Sequence, residues 1–168
     1  MLYLKIKKGT LKDISLIMDI INNAIVDMES EGIYQWDRLY PDESVINDDI
    51  NNKNLYVYTD ENIIKAFLVL NEIQDTEYNS INWKYQKGRQ LVVHRLCVDP
   101  KFKGKGIATA LIKYAEKFAK EKDYDSIRLD CFSKNPHACN LYRKNNYIER
   151  GIMTIIRVGD FFCFEKAL

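Results

Sequence analysis

The sequence is poor in the residues that build metal centres and covalent frameworks. It has two histidines, His94 and His137, far from any metal-ligand spacing. Its four cysteines, Cys97, Cys131, Cys139 and Cys163, include no CxxC pair, so no metal site is expected and the thiols are read as buried and free. An excess of either charge is also lacking. A formal net charge of +1 sets up no overall field to attract nucleic acid or an anionic membrane, and neither partner is indicated. The opening stretch MLYLKIKKGT turns polar too soon for a signal-peptide core or a spanning helix, which points to a cytoplasmic protein. Repeats, linkers and low-complexity segments are absent.

What is present is the material of one globular domain. With 168 residues, 46% hydrophobic and 29% charged, the chain can bury a core and has room for a single domain over residues 1–168. After a short first strand, Thr10 and Asp13 mark a helix start, and Ile14, Ile17, Met18, Ile21, Ile25 and Met28 recur at helical spacing until Gly32 breaks the pattern. A second short helix is expected around Val45 to Asn51. A hairpin follows, Leu55 to Tyr58 and Ile63 to Leu70, turning through Asp60, Glu61 and Asn62. Asn71 to Arg89 is polar and has no period, and reads as a long loop. Leu91 to Val98 is an apolar run interrupted by His94 and Arg95, as for a strand covered on both faces. A helical stripe starts at Ile107, a strand carries Ile127, Leu129 and Cys131, and Asn135-Pro136 opens a helix that Asn146 ends in a left-handed turn. Ile148 to Arg157 and Phe161 to Glu165 form a last pair of strands around Gly159. The fold class is mixed α/β: a central mixed sheet with a right-handed βαβ crossover through residues 91–131, flanked by helices.

The most informative stretch is Leu96-Cys97-Val98-Asp99-Pro100-Lys101-Phe102-Lys103-Gly104-Lys105-Gly106-Ile107-Ala108. A buried strand there runs through a glycine-bearing turn into a helix, a geometry that aims backbone N–H groups and the positive end of the helix dipole at one point. Pyrophosphate is the natural guest, and Lys101, Lys103 and Lys105 add local charge; an ordinary strand–helix turn with solvated lysines is the plainer reading. A Rossmann dinucleotide site would want a third glycine where Thr109 stands and an acidic residue after the next strand, whereas Asp130 lies within it. A P-loop would want Gly-Lys-Ser/Thr, which Gly104-Lys105-Gly106 does not supply.

Leu96, Val98, Pro100, Gly106 and Ala108 resemble the acetyl-CoA signature of the GNAT superfamily of acetyltransferases, with Lys103 where that family prefers arginine or glutamine. A second signature of the family, Asn-x-x-Ala-x-x-Leu-Tyr, is similar to Asn135, Ala138, Leu141 and Tyr142; the family's following Gly-Phe reads Asn146-Tyr147. The resemblance implies that backbone groups of Leu96, Cys97 and Val98 pair with the pantetheine arm of acetyl-CoA. It implies too that the amides from Lys103 through Gly104, Lys105, Gly106, Ile107 and Ala108 to Thr109 hold the pyrophosphate, and that Asn135 and Tyr142 face the thioester. In family structures the signature strand splays from its parallel neighbour to admit the arm.

The activity implied is transfer of an acetyl group to a small-molecule or peptide amine by direct attack. Tyr142 is then the general acid for the CoA thiolate, because a phenol of pKa about 10 and a thiol of about 8.5 are nearly matched. Glu72 and His94, the latter two positions before Leu96 and expected on the same strand face, are candidates for the base. Tyr34, Gln35, Trp36 and Asp37 form a candidate acceptor wall. Glu72, Asp75 and Glu77 would suit a cationic amine, or simply make a solvated loop. The competing reading is a non-catalytic acyl-CoA-binding sensor or interaction module. A homodimer formed by sheet extension through Phe161, Phe162, Cys163 and Phe164 is the expectation for assembly, with completion of the core as its alternative.

Overall fold

The computed structural model describes residues 5–168; part of the opening stretch read above lies outside the described residues. The elements follow in the expected order: β1 (Ile6–Lys8), α1 (Ile14–Ser30), α2 (Glu43–Asn51), β2 (Leu55–Asp60), β3 (Ile63–Asn71), β4 (Gln90–Val98), α3 (Ile107–Glu121), β5 (Ser126–Phe132), α4 (Pro136–Lys144), β6 (Ile148–Ile155) and β7 (Gly159–Ala167). Parallel and antiparallel pairings both occur, so the class is the mixed α/β one expected. None of the described helices is long and apolar enough to cross a membrane. The chain forms two compact units, Met1–Leu70 with Arg95–Tyr114, and Asn71–His94 with Ala115–Leu168; β4 and α3 each begin in one and end in the other.

In the first unit, β1, β2 and β3 form an antiparallel meander. Glu61 and Asn62 are the whole hairpin loop, both left-handed at φ 51° and 64°, the conformation that matches the right-handed twist of the flanking strands; Asp60, expected in the turn, is the last residue of β2. At the start of α1 the Asp13 carboxylate accepts from the Thr10 backbone N–H at 2.8 Å and its hydroxyl at 3.0 Å. Ile17, Ile20, Ile21, Ala24 and Ile25 make the buried stripe of that helix, and it packs with Ile46, Ile50, Leu55, Val57, Phe67, Val69 and Cys97. Gly32, at φ 75°, ends the helical run as its freedom at positive φ allows.

β4 departs from regular strand geometry at Arg95, whose φ is 48°. A left-handed non-glycine residue inside a strand costs about 1–2 kcal/mol and interrupts the two-residue alternation of the strand. The guanidinium that this turn places inward makes two bonds to Asp49 on α2, Nε to Oδ2 at 2.8 Å and Nη2 to Oδ1 at 2.6 Å, and a third to the Tyr40 hydroxyl at 2.9 Å. Both side chains are largely shielded, at 14% and 10% exposure, where a bidentate pair is little screened and an unpaired charge is costly.

In the second unit, β4 pairs in parallel with β5 over Gln90↔Ser126, Leu91↔Ile127 and Val92↔Arg128, and the strand runs on to Val98 past the last of these pairs. β7 lies between β5 and β6, antiparallel to both. The aromatic segment expected to reach a partner is therefore an inner strand, with Phe161, Cys163 and Phe164 buried; both its edges are taken, and a homodimer would have to use another surface. Phe132 packs on Phe161 with ring centroids 5.3 Å apart, and Tyr142 on Phe164 at 5.9 Å.

The stretch read as a loop, Asn71 to Arg89, begins on the last residue of β3 and is built into this unit. It contains a 3-10 turn at Thr76–Ser80, and Tyr78, Ile81 and Trp83 are buried. The fully buried carboxylate of Glu165 on β7 accepts the backbone N–H groups of Lys84 at 2.7 Å and Tyr85 at 3.3 Å, and Arg150 Nε at 2.6 Å. Arg128 on β5 donates to the Tyr85 carbonyl and to Gln74 Oε1, each at 2.8 Å, with its guanidinium 4.5 Å from the Trp83 ring centroid.

Removing Asp49 leaves Arg95 charged and partnerless at that end, so Asp49→Ala is expected to lower stability by about 3 kcal/mol, with a clearly smaller loss for Asp49→Asn. Urea denaturation midpoints measure both; equal and negligible losses would show that the pair does not stabilise the strand.

Candidate active site

The glycine turn after β4 is held open by its own hydrogen bonds. Asp99 Oδ1 accepts the Lys101 N–H at 3.1 Å, and the Asp99 carbonyl accepts the Phe102 N–H at 2.8 Å. These fix a 3-10 turn over Pro100–Phe102, from which the chain enters α3 through Gly104 and Gly106, at φ 73° and 76°. Among the described residues, no atom beyond the adjoining residues lies within 4 Å of where a Cβ would stand at either glycine, so the space beside the backbone is clear and a ligand can approach it closely. Lys103, Gly104, Lys105, Gly106 and Thr109 are exposed, and Ile107 is buried beneath them. The first N–H groups of α3 have no partner within the helix, as at any helix start. The chain thus presents the donors and the room that a pyrophosphate needs. Lys103 forms an ion pair with Asp27 on α1, which offsets part of the positive charge expected at this turn. Cys97 is buried, which pushes its thiol up to about 12 and leaves it inert.

The second unit holds the other signature residues. Asn135 caps α4, its Oδ1 accepting the Ala138 N–H at 3.2 Å, and Pro136 takes the first helical position, where its missing N–H costs nothing. Asn146 ends the helix at φ 65°, as expected. Tyr142 is buried against Tyr147 and Phe164. Burial, reinforced by the charges of Cys131, Asp130 and Cys139, holds its phenol well above the usual tyrosine range, so it keeps its proton. Cys131 and Cys139 are both buried, their sulfurs in contact at 2.8 Å.

Among the groups acting on Tyr142 is a carboxyl that the sequence reading weighed only as the acidic residue of a dinucleotide site. Asp130 lies on β5, beside Cys163 in the β7 register. Desolvation raises it to about 6, against the bond from Tyr78, with the Asp75 charge adding to the rise. The Tyr78 hydroxyl donates to Asp130 Oδ2 at 2.7 Å. Alternation along β5 had set Ile127, Leu129 and Cys131 on one face; the signal available was an acidic residue on the other face of a strand covered on both sides. Tyr78, in a segment without periodicity, offered none.

The residues expected to act as base stand differently. Glu72 is half exposed and bonded by Arg89, Nη2 at 2.5 Å and Nε at 3.1 Å, and by the Tyr124 hydroxyl at 2.9 Å. The bond from Arg89, then that from Tyr124, hold its carboxyl below the usual range. His94 Nε2 lies 2.8 Å from Asn71 Oδ1. In the candidate acceptor wall, Tyr34 is 68% exposed, whereas Trp36 packs against the core of the first unit, and Asp37 Oδ1 accepts the N–H groups of Leu39 at 2.7 Å and Tyr40 at 3.1 Å.

An open glycine turn after β4 and a capped helix carrying a buried tyrosine stand where the two signatures were read in the sequence. The chain belongs to the acetyltransferase (GNAT) family, whose description matches residues 21–147. It is 37% identical over 60 residues to a streptothricin acetyltransferase of Escherichia coli, a match covering 36% of this chain and 34% of that protein. It is 31% identical over 74 residues to an uncharacterised N-acetyltransferase of Methanocaldococcus jannaschii, covering 43% and 33%; the match spans about a third of the length of these curated relatives. Among solved structures, a GNAT-family acetyltransferase from Streptococcus agalactiae superposes with a TM-score of 0.85 at 21% identity, covering 97% of this chain and 94% of that one. The PaiA N-acetyltransferase of Thermoplasma acidophilum, solved with coenzyme A, gives 0.73 at 19% identity, covering 97% and 98%. At these identities the structural likenesses show the fold.

The Asp130 carboxyl, half-buried and raised from 3.8 to about 6, is better tolerated protonated, so its ionisation opposes folding. The penalty is absent below about pH 4, grows between about pH 4 and 6, and is constant above, at no more than about 3 kcal/mol. Asp130→Asn is therefore expected to be more stable than the natural protein at pH 8 and no more stable at pH 4. Thermal or urea unfolding across that range checks the sign, which would reverse if Asp130 were held ionised by a partner.

Proposed function

We propose that the protein is an N-acetyltransferase that moves an acetyl group from acetyl-CoA onto a primary amine of a small molecule or peptide, residues 1–168 acting as one domain. Family membership and the open glycine turn support the choice of acyl donor: the amides of Lys103–Thr109 take the pyrophosphate, and the backbone of Leu96, Cys97 and Val98 takes the pantetheine arm. Acetyl-CoA, when bound, supplies the acetyl group as a thioester. The observation that carries the reaction is the family's second motif folded as a capped helix with Tyr142 buried on it, together with the Asp130 carboxyl of β5 held by the Tyr78 hydroxyl at 2.7 Å.

In this reading Tyr142 gives its phenolic proton to the departing sulfur. Burial raises the phenol, but it raises a thiolate leaving into the same surroundings as well, so the transfer stays nearly balanced. Asp130 takes the proton that the amine loses as its nitrogen bonds to the acetyl carbon. We prefer it to Glu72, which an arginine keeps ionised and weakly basic, and to His94, whose Nε2 is engaged by Asn71. Asn135 orients α4 by capping it. Tyr34 and Asp37 are the exposed parts of the acceptor wall, and Tyr34 offers a ring to a ligand. Streptothricin, named for one relative, belongs among the amines to be tried.

The direct test is thiol release from acetyl-CoA with a panel of amines, including streptothricin, polyamines and short peptides. Release above the amine-free rate is expected. Coenzyme A binding without turnover on any amine would favour the non-catalytic binding module instead. Tyr142→Phe should lower kcat by about 10²-fold or more with little change in the KM for acetyl-CoA. Because the amine must also be neutral, log(kcat/KM) should rise with slope 2 below about pH 6 and slope 1 above it. Asp130→Asn should leave a lower rate with slope 1 throughout; an unaltered profile would remove Asp130 from the mechanism.

A further inference from the structure

The segment between β3 and β4 brings one hydroxyl onto the carboxyl to which the proposed mechanism assigns the base, and this inference rests on that assignment. Tyr78 is 2% exposed, and its hydroxyl meets Asp130 Oδ2 at 2.7 Å. Its backbone is fixed from two sides: the Tyr78 N–H donates to the Asp75 carbonyl at 2.9 Å, and the Tyr78 carbonyl accepts Trp83 Nε1 at 2.9 Å. The two rings pack with centroids 5.2 Å apart. Trp83 in turn lies under the Arg128 guanidinium, and the next two residues are clamped by Glu165. A surface loop needs no such anchoring; a loop that must hold one phenol in place does.

We propose that Tyr78 is a positioning residue for acetyl transfer: its hydroxyl fixes the Asp130 carboxylate through Oδ2, directs Oδ1 to the amine proton, and sets how readily the carboxylate gives up that proton. The hydrogen bond favours the ionised carboxylate and works against its burial, so Asp130 is ionised at neutral pH while still basic enough to accept a proton. Among the described residues the other groups facing it are Asp75 from the same segment, Cys163 from β7, Tyr142 from α4 and the adjacent Cys131, with Arg128 two residues back on β5. Of these Arg128 alone is cationic, and its guanidinium is engaged by the Tyr85 carbonyl, Gln74 and the Trp83 ring, so the phenol is the donor that tunes the carboxyl. The acceptor amine then enters beside a segment whose length and sequence lie outside the family's two signatures.

The test is the pH dependence of kcat/KM. In Tyr78→Phe the break from slope 2 to slope 1 should move up by about one pH unit, the size expected for loss of one hydrogen bond to a charged group, while the KM for acetyl-CoA stays within about twofold. Replacing Tyr78 by 3-fluorotyrosine, a stronger donor of nearly the same shape, should move the break down, and this arm serves if the phenylalanine variant does not fold. A break unmoved by both, with only thermal stability altered, would overturn the role of Tyr78. A natural profile without any break that Asp130→Asn abolishes would instead sink the assignment of Asp130, and this inference with it.

Discussion

A carboxylate with no access to water has to be fully satisfied where it sits, and Glu165 meets that requirement by drawing three donors from two places in the chain. Two are backbone N–H groups of a segment that has no helical or strand ladder of its own, so the bonds are made at the segment's expense in entropy and at the strand's gain in satisfied charge. Everything nearer the site depends on this clamp. It fixes Lys84 and Tyr85, which fixes the span in which Trp83 bonds the Tyr78 carbonyl, which in turn fixes the phenol on Asp130. An order that looks local at the carboxyl is imposed from β7.

The first unit solves a similar problem by a different route. There the cost is taken in the backbone, at a left-handed arginine inside a strand, and is offset by a shielded bidentate pair with Asp49. In both units an ionised side chain, rather than apolar packing alone, determines where an irregular piece of backbone lies. Apolar packing sets the layers; the two buried charges set the exceptions.

What could be read in the sequence follows the same division. Helices and strands with a clear period, the hairpin, and the caps at Asn135 and Asn146 were legible because each is written in neighbouring residues. The glycine turn and the second motif were legible because backbone approach to a phosphate demands particular residues at fixed spacing. The ordered course of residues 72–89 was not, since its partners Glu165 and Arg128 are far along the chain and the segment itself looks like solvated loop. Asp130 was weighed only as a dinucleotide-site acid and not as a base, because it stands between Leu129 and Cys131 and its basicity comes from a desolvation that only the fold supplies. The aromatic run at the C-terminal end was legible as strand, but its place between two neighbours was not, because strand order is not encoded in the strand.

The clamp also dictates an order of assembly. Lys84 and Glu165 are 81 positions apart, and Tyr78 and Asp130 are 52 apart, so these bonds close large loops of chain and form only once distant segments have met. As the chain leaves the ribosome, residues 72–89 emerge well before β7 and have nothing to dock on until it arrives. The segment that holds the proposed base in position is thus among the last parts of its unit to become ordered, waiting on β7 although it precedes that strand by about 70 residues.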